Sequence, residues 1–154
     1  MKNVFYYDTD IGRIGIAEDG NFITNVFFEN EELEDIKINE TPLIKEAHKQ
    51  IEEYLRGERK SFDLPISASG TEFQQRVWNA LKTIPYGKTV SYKDIAIAIG
   101  NEKSCRAVGM ANNRNPISII IPCHRVIGKN GKMVGYGGGI EIKEYLLKLE
   151  NNNL

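Results

Sequence analysis

The chain has 154 residues, 41% hydrophobic and 27% charged, the composition of an ordinary globular protein and the length for one medium domain or two small ones. Its longest apolar run, Ile117–Ile121 with Ser118 inside it, is too short to cross a bilayer, and Met1–Asp8 has no apolar signal core, so a cytoplasmic protein with no membrane partner is expected. The net charge of −1 hides an asymmetry: residues 1–69 hold 8 Lys+Arg against 15 Asp+Glu, residues 70–154 hold 12 against 6, and a basic half suits contact with a polyanion.

Val4–Tyr7, Gly12–Ala17 and Phe22–Phe28 are short runs rich in β-branched and aromatic residues. Thr9-Asp10 and Asp19-Gly20-Asn21 punctuate them, which predicts a three-stranded antiparallel meander. Glu29–Glu40 is acidic and poorly periodic and reads as a loop or a ragged helix. Thr41-Pro42 starts a helix, with Thr as N-cap and Pro in the first turn, and Gly57 ends it. Leu43, Ala47, Ile51 and Leu55 form its apolar stripe, widened by Ile44 and Tyr54. His48 lies beside that stripe and receives no role. Phe62–Ile66 is a candidate further strand. This half shows a core and no chemistry.

Ser67-Ala68-Ser69-Gly70 breaks the composition and places a domain boundary between residues 1–68 and 69–154. Ser69 with Glu72, or Thr71 with Gln74, makes a capping box for a helix that buries Phe73, Val77, Trp78 and Leu81. Ser91 caps a helix over Tyr92–Ile99 with Asp94 at its third position. Gly100 closes that helix, and another runs from Ser104 to Asn113. Helix, Gly-containing turn, helix is the helix-turn-helix pattern, although many helical corners look alike. Ala107, Gly109 and Ala111 on the second helix suit close approach to a DNA groove or to another helix. Arg106 is a DNA contact or a surface arginine, and Cys105 a small helical residue. Val126-Ile127 and Met133-Val134 flank an Asn-Gly turn and predict a hairpin, or wing. A last helix, Ile140–Glu150, is expected to bury Ile142, Tyr145, Leu146 and Leu149, with Asn151–Leu154 a frayed tail.

Ile119-Ile120-Ile121-Pro122-Cys123-His124-Arg125-Val126 stands apart. Three consecutive Ile read as a buried strand or extended segment, and Pro122 keeps it from running on as a helix. The segment therefore presents a thiol beside an imidazole. Cys123 is either a small buried residue or a reactive nucleophile, since a thiol needs a specific electropositive setting to react. Two Cys and two His at these spacings match no zinc signature, so no metal is expected, and in a reducing compartment no disulfide.

Residues Asn115-Pro116 through Val126 resemble the active-site signature of the O6-alkylguanine-DNA alkyltransferases, the methylated-DNA–protein-cysteine methyltransferases. Gly70–Trp78, Pro85-Tyr86-Gly87, Val90-Ser91-Tyr92, Arg106-Ala107-Val108-Gly109, Tyr136 with its glycines, Lys143–Leu147 and Glu150 are similar to further blocks of that family, in the same order over residues 70–150. The resemblance implies an α+β chain of two domains. The first would be a ribonuclease-H-like antiparallel sheet with a helix, the second a helical, winged helix-turn-helix-like DNA-binding domain. It implies a monomer that binds double-stranded DNA containing O6-alkylguanine, flips the base out and takes the alkyl group irreversibly onto Cys123, without a cofactor. His124 would take the thiol proton through a water, with Glu150 orienting the imidazole, a variant of triad logic. Tyr92 would serve O6, Asn115 would hold the Cys segment, and Arg106, Ala107, Gly109 and Ser91 would meet DNA. Pro122, Val126, Tyr136, Gly137 and Lys143 would line the pocket. Gly137 stands where some members have a Ser, which bears on bulky adducts, and residues 1–69 lack the Cys that a zinc site would need. Two competing readings are an alkyltransferase-like protein that binds lesions without transfer, and a Cys–His thiol hydrolase.

Overall fold

The computed structural model describes residues 1–154 and contains six strands and five α-helices. Strands β1 (Lys2–Thr9), β2 (Gly12–Glu18) and β3 (Ile23–Phe28) form the expected antiparallel meander. Gly15 sits in β2 because any Cβ there would collide with the Phe27 ring. The acidic stretch after β3 is not helical. It ends in a short strand, β4 (Ile36–Ile38), paired parallel to β1, so the sheet order is β3-β2-β1-β4. The strand has only three residues, too few for alternation to stand out from the surrounding acidic loop.

Helix α1 (Pro42–Leu55) is capped by Thr41, whose hydroxyl accepts from Ile44 N at 3.3 Å. Its buried face of Ile44, Ala47, Ile51, Tyr54 and Leu55 packs on the sheet. Gln50 is buried with them and exchanges two hydrogen bonds with the backbone of Asp63, at 2.9 and 3.1 Å. Phe62–Ile66 does not become a strand. Only Ile66 bridges Ile23, and Pro65, which has no N–H to donate, accepts from Ile23 N instead.

Helix α2 (Glu72–Leu81) uses Thr71 and Gln74 as its capping box. Strand β5 (Val90–Ser91) leads into α3 (Tyr92–Ala98), capped reciprocally by Ser91 and Asp94, and α4 (Cys105–Asn113) follows. Trp78 Nε1 donates to Ala111 O at 2.8 Å and ties α2 to α4. The expected wing does not form. Val126–Ile127 (β6) pairs with β5, in parallel, and one bond from Gly128 N to Lys132 O closes the loop in place of a second strand. Helix α5 runs from Ile140 to Asn152, beyond the expected end, and Asn153 still bonds Leu149 O at 2.8 Å. Its fully buried residues are Lys143, Leu146 and Glu150, while Tyr145 is 40% exposed.

The α+β architecture is as expected, but the halves share one core. A cluster of 26 buried residues runs from Ile14 and Ile51 through Trp78 to Leu146. The outer edge of β3 links them further: Val26 N donates to Pro116 O at 2.9 Å and Ser118 N to Val26 O at 3.2 Å. The sheet thereby anchors the segment that leads to Cys123. No helix is long and apolar enough to cross a membrane.

Candidate active site

The Ile run before Cys123 is neither a strand nor extended. Ile120 N bonds back to Ser118 O at 2.8 Å, and Ile119 between them has φ of 74°. This is a γ-turn of the positive-φ kind, rare and strained for a β-branched residue. Cys123 N bonds back to Ile121 O at 2.8 Å across Pro122 (φ −80°, ψ 62°), an inverse γ-turn. Cys123–Arg125 then form one turn of 3-10 helix. Two carboxamides brace these turns. Asn115 donates to Ile121 O at 2.8 Å and accepts from Ile117 N at 3.0 Å, while Asn112 donates to Cys123 O at 3.3 Å.

Cys123 is 3% exposed. Burial pushes its thiol up to about 11, against the pull of the Asn115 amide and the Lys143 ammonium. His124 is fully buried beside it. Its Nε2 lies 2.7 Å from Glu150 Oε2, and its Nδ1 has no partner within the protein. Burial depresses the imidazole pKa, Glu150 raises it, and Arg125 and Lys143 lower it, with a net lowering.

Glu150 is the hub of the site. Oε1 accepts from Arg125 Nε at 2.8 Å and from Gly87 N at 3.0 Å. Oε2 is shared by His124, Arg125 at 3.0 Å and the hydroxyl of Tyr54 at 2.5 Å. Burial works to raise the carboxyl, but the hydrogen bonds from His124, Arg125 and Tyr54 outweigh it and hold it well below the usual carboxylate range. Arg125 also donates to Ile84 O at 2.7 Å.

The remaining residues expected at the site lie in two groups. Lys143, fully buried, donates to Val126 O at 2.6 Å and Val134 O at 2.9 Å and so closes the loop between them. Tyr92 donates to the same Val134 carbonyl at 3.1 Å, so its hydroxyl must turn to serve a ligand. Tyr136 has a buried hydroxyl with no protein partner and packs on Phe28 at 5.6 Å between ring centroids. Gly137 accepts from Asn30 at 3.2 Å, and a Cβ there would lie 3.3 Å from Glu31 Oε1. Pro122 and Val126 are buried on either side of the Cys123 turn. The second group is the helix-turn-helix: Arg106 and Ala107 are exposed on α4, Gly109 faces the Tyr92 ring, and Ser91 is engaged in capping α3.

Tyr54, Arg125, Asn112 and Gly87 complete the site, and the sequence alone assigns none of them a role there. Arg125 adjoins His124, and Asn112 stands one helical turn before Asn115, so both carried a signal. Tyr54 carried none, because it falls on the apolar stripe of α1.

This arrangement agrees with what the chain is similar to. Residues 4–68 match the family model of the 6-O-methylguanine DNA methyltransferase ribonuclease-like domain, and residues 72–152 that of the DNA binding domain. The chain belongs to the 6-O-methylguanine DNA methyltransferase family. Among its relatives, the methylated-DNA–protein-cysteine methyltransferase of Methanosarcina acetivorans is 51% identical over 95% of this chain and 96% of its own. The constitutive enzyme of Bacillus subtilis is 50% identical over 93% and 92%. The Mycobacterium tuberculosis protein whose structure was solved in complex with DNA superposes with a TM-score of 0.93 at 44% identity, over 98% of this chain and 94% of that one. Family membership agrees with both the ribonuclease-like fold of the first half and the helix-turn-helix of the second.

Proposed function

We infer that this protein repairs DNA by direct reversal, moving a methyl group from damaged DNA to its own Cys123. The observation that carries this reading is a buried thiol in the residue before an imidazole whose Nε2 is held by Glu150 while its Nδ1 has no partner in the protein. The substrate we propose is O6-alkylguanine in double-stranded DNA, with the base flipped into the pocket between Tyr92, Tyr136 and the Cys123 turn. O4-methylthymine is a second candidate substrate. Flipping costs a few kcal/mol, least for a lesion that pairs badly. Exposed Arg106 and Ala107 on α4 offer the face that enters the groove, where small residues permit close approach.

Before reaction the pair is neutral at physiological pH, because burial raises the thiol and lowers the imidazole. The thiol proton passes to His124 Nδ1, relayed by a water, and the thiolate attacks the alkyl carbon. A sulfur–carbon bond forms and the carbon–O6 bond breaks. Guanine takes up one proton, supplied through Tyr92, and the proton on His124 restores the balance. The imidazolium is stabilised by Glu150, which stays ionised because five donors converge on it. A thioether cannot regenerate the thiolate, so each molecule acts once. We further assign residues 1–68 and 69–154 as the two structural units of a cytoplasmic monomer.

Mass spectrometry of the Cys123 peptide after incubation with duplex DNA carrying O6-methylguanine tests the reading. One added methyl group per chain is expected, with loss of the lesion, and Cys123→Ala should bind the DNA without transfer. An unmodified peptide beside intact lesions overturns it, as does turnover of many lesions per chain.

A further inference from the structure

We propose that Tyr54 is a positioning residue of the transfer reaction: its phenol, delivered by α1 of the N-terminal half, steadies Glu150 and fixes which nitrogen of His124 carries the proton. The inference rests on the assignment of Cys123 and His124 made above. Tyr54 is fully buried, with its hydroxyl 2.5 Å from Glu150 Oε2 and 3.3 Å from His124 Nε2.

A phenol has one proton to give, and an ionised carboxylate only accepts. The Tyr54 proton therefore goes to Glu150, and its oxygen can only accept from His124. Nε2 then faces two acceptors, the carboxylate oxygen and the phenol oxygen, and must itself carry hydrogen. Nδ1 keeps the lone pair and is the nitrogen free to take a proton. The opposite tautomer would set the Nε2 lone pair against both oxygens. Burial and the Glu150 charge keep the phenol protonated, since both push its pKa far up.

The other charged groups acting on the imidazole are Glu150 and Lys143 of α5, and Arg125 of its own turn. Each belongs to the C-terminal half; Tyr54 alone comes from the other half. Its ring is wedged against Phe62 and Tyr86, at 5.5 and 6.2 Å between centroids, so the phenol has a fixed approach. The sheet domain thereby reaches the proton relay itself, beyond anchoring the Cys123 segment.

The test is the single-turnover rate of methyl transfer from O6-methylguanine duplex DNA, followed from about pH 5 to pH 9 for the natural protein and for Tyr54→Phe. The rate should fall about tenfold or more, the worth of a hydrogen bond to a charged group, with unchanged DNA affinity. With one donor fewer, Glu150 holds more charge for the imidazolium, so the acid limb of the profile should move to higher pH. A Tyr54→Phe protein that matches the natural one in both rate and midpoint makes Tyr54 mere packing and overturns the inference. Nitrogen NMR of His124 in the natural protein adds a check that needs no variant. The Nε2–H tautomer is expected, and the Nδ1–H tautomer refutes it. A natural protein that transfers no methyl group at all defeats the functional reading instead, and the NMR result still stands separately.

Discussion

Helices α4 and α5 both hold the Cys123 turn, and they do so in opposite ways. Helix α4 gives it one side-chain hydrogen bond, from Asn112, and turns Arg106, Ala107 and Met110 to solvent. Helix α5 turns a lysine and a glutamate inward, where Lys143 closes the Val126–Val134 loop and Glu150 gathers five donors. A helix that meets a partner can leave its polar groups to water until the partner arrives. A helix that serves a reaction must satisfy every charge it buries at the time of folding. The contrast separates a surface built for recognition from an interior built for proton transfer.

The largest expected effect that would sharpen this contrast is that of Glu150→Ala. It strands Arg125 and His124 without their carboxylate, and breaking a buried pair typically costs about 3–5 kcal/mol. Denaturant unfolding measures it, and a loss below about 1 kcal/mol would place Glu150 among ordinary surface acids and erase the contrast.

Acid should reach α5 and its partners before it reaches α4. His124 has a folded pKa below its unfolded value of about 6.5, and Glu150 one well below its unfolded value of about 4.3. Both are depressed in the folded state, so each contributes stability that is present above the unfolded pKa. That contribution is lost as pH falls towards the folded one. Each contributes about 1.4 kcal/mol per pH unit between its two values. Thermal melts should show stability falling below about pH 6.5 and again below about pH 4.3. Melts that stay flat from pH 7 to pH 4 would mean that His124 and Glu150 titrate as solvated groups do.

The smallest effect belongs to α4. A Cβ at Gly109 would meet only the Tyr92 ring, at an ordinary 3.8 Å, so the fold itself has room for it. Replacing a mid-helix glycine by alanine stabilises by roughly 0.5–1 kcal/mol. If the small residue is there for close approach to DNA, Gly109→Ala should melt higher and bind DNA more weakly. A variant that gains stability and loses no affinity would show that the small side chain serves packing alone.

The same contrast explains what could be read from the sequence. The β1–β3 meander, α1 with its Thr41 cap, the capping boxes of α2 and α3, and the extent of α4 follow from periodicity and turn chemistry, which are local. The inward face of α5 was misjudged because hydropathy cannot distinguish a buried lysine or glutamate from a solvated one. Lys143 and Glu150 occupy the core, while Tyr145 is left outside. Strand β4 depends on a non-local pairing with β1, and the absent wing on Val126–Ile127 finding β5 instead of Met133-Val134. Cys123 and His124 stood out locally as a thiol beside an imidazole, while their roles, and Asn115 and Glu150, came from the family resemblance; the structure gathers them in one place. Tyr54 could not be found this way, because a phenol on an apolar stripe looks like any other core aromatic until its neighbour across the two halves is known.

The γ-turn at Ile119 ties the presentation of Cys123 to the core. A β-branched residue held at positive φ costs about 1–3 kcal/mol, met here by burying its side chain among the other isoleucines. The same isoleucines that fill the interior therefore also set the bend that leads to the thiol.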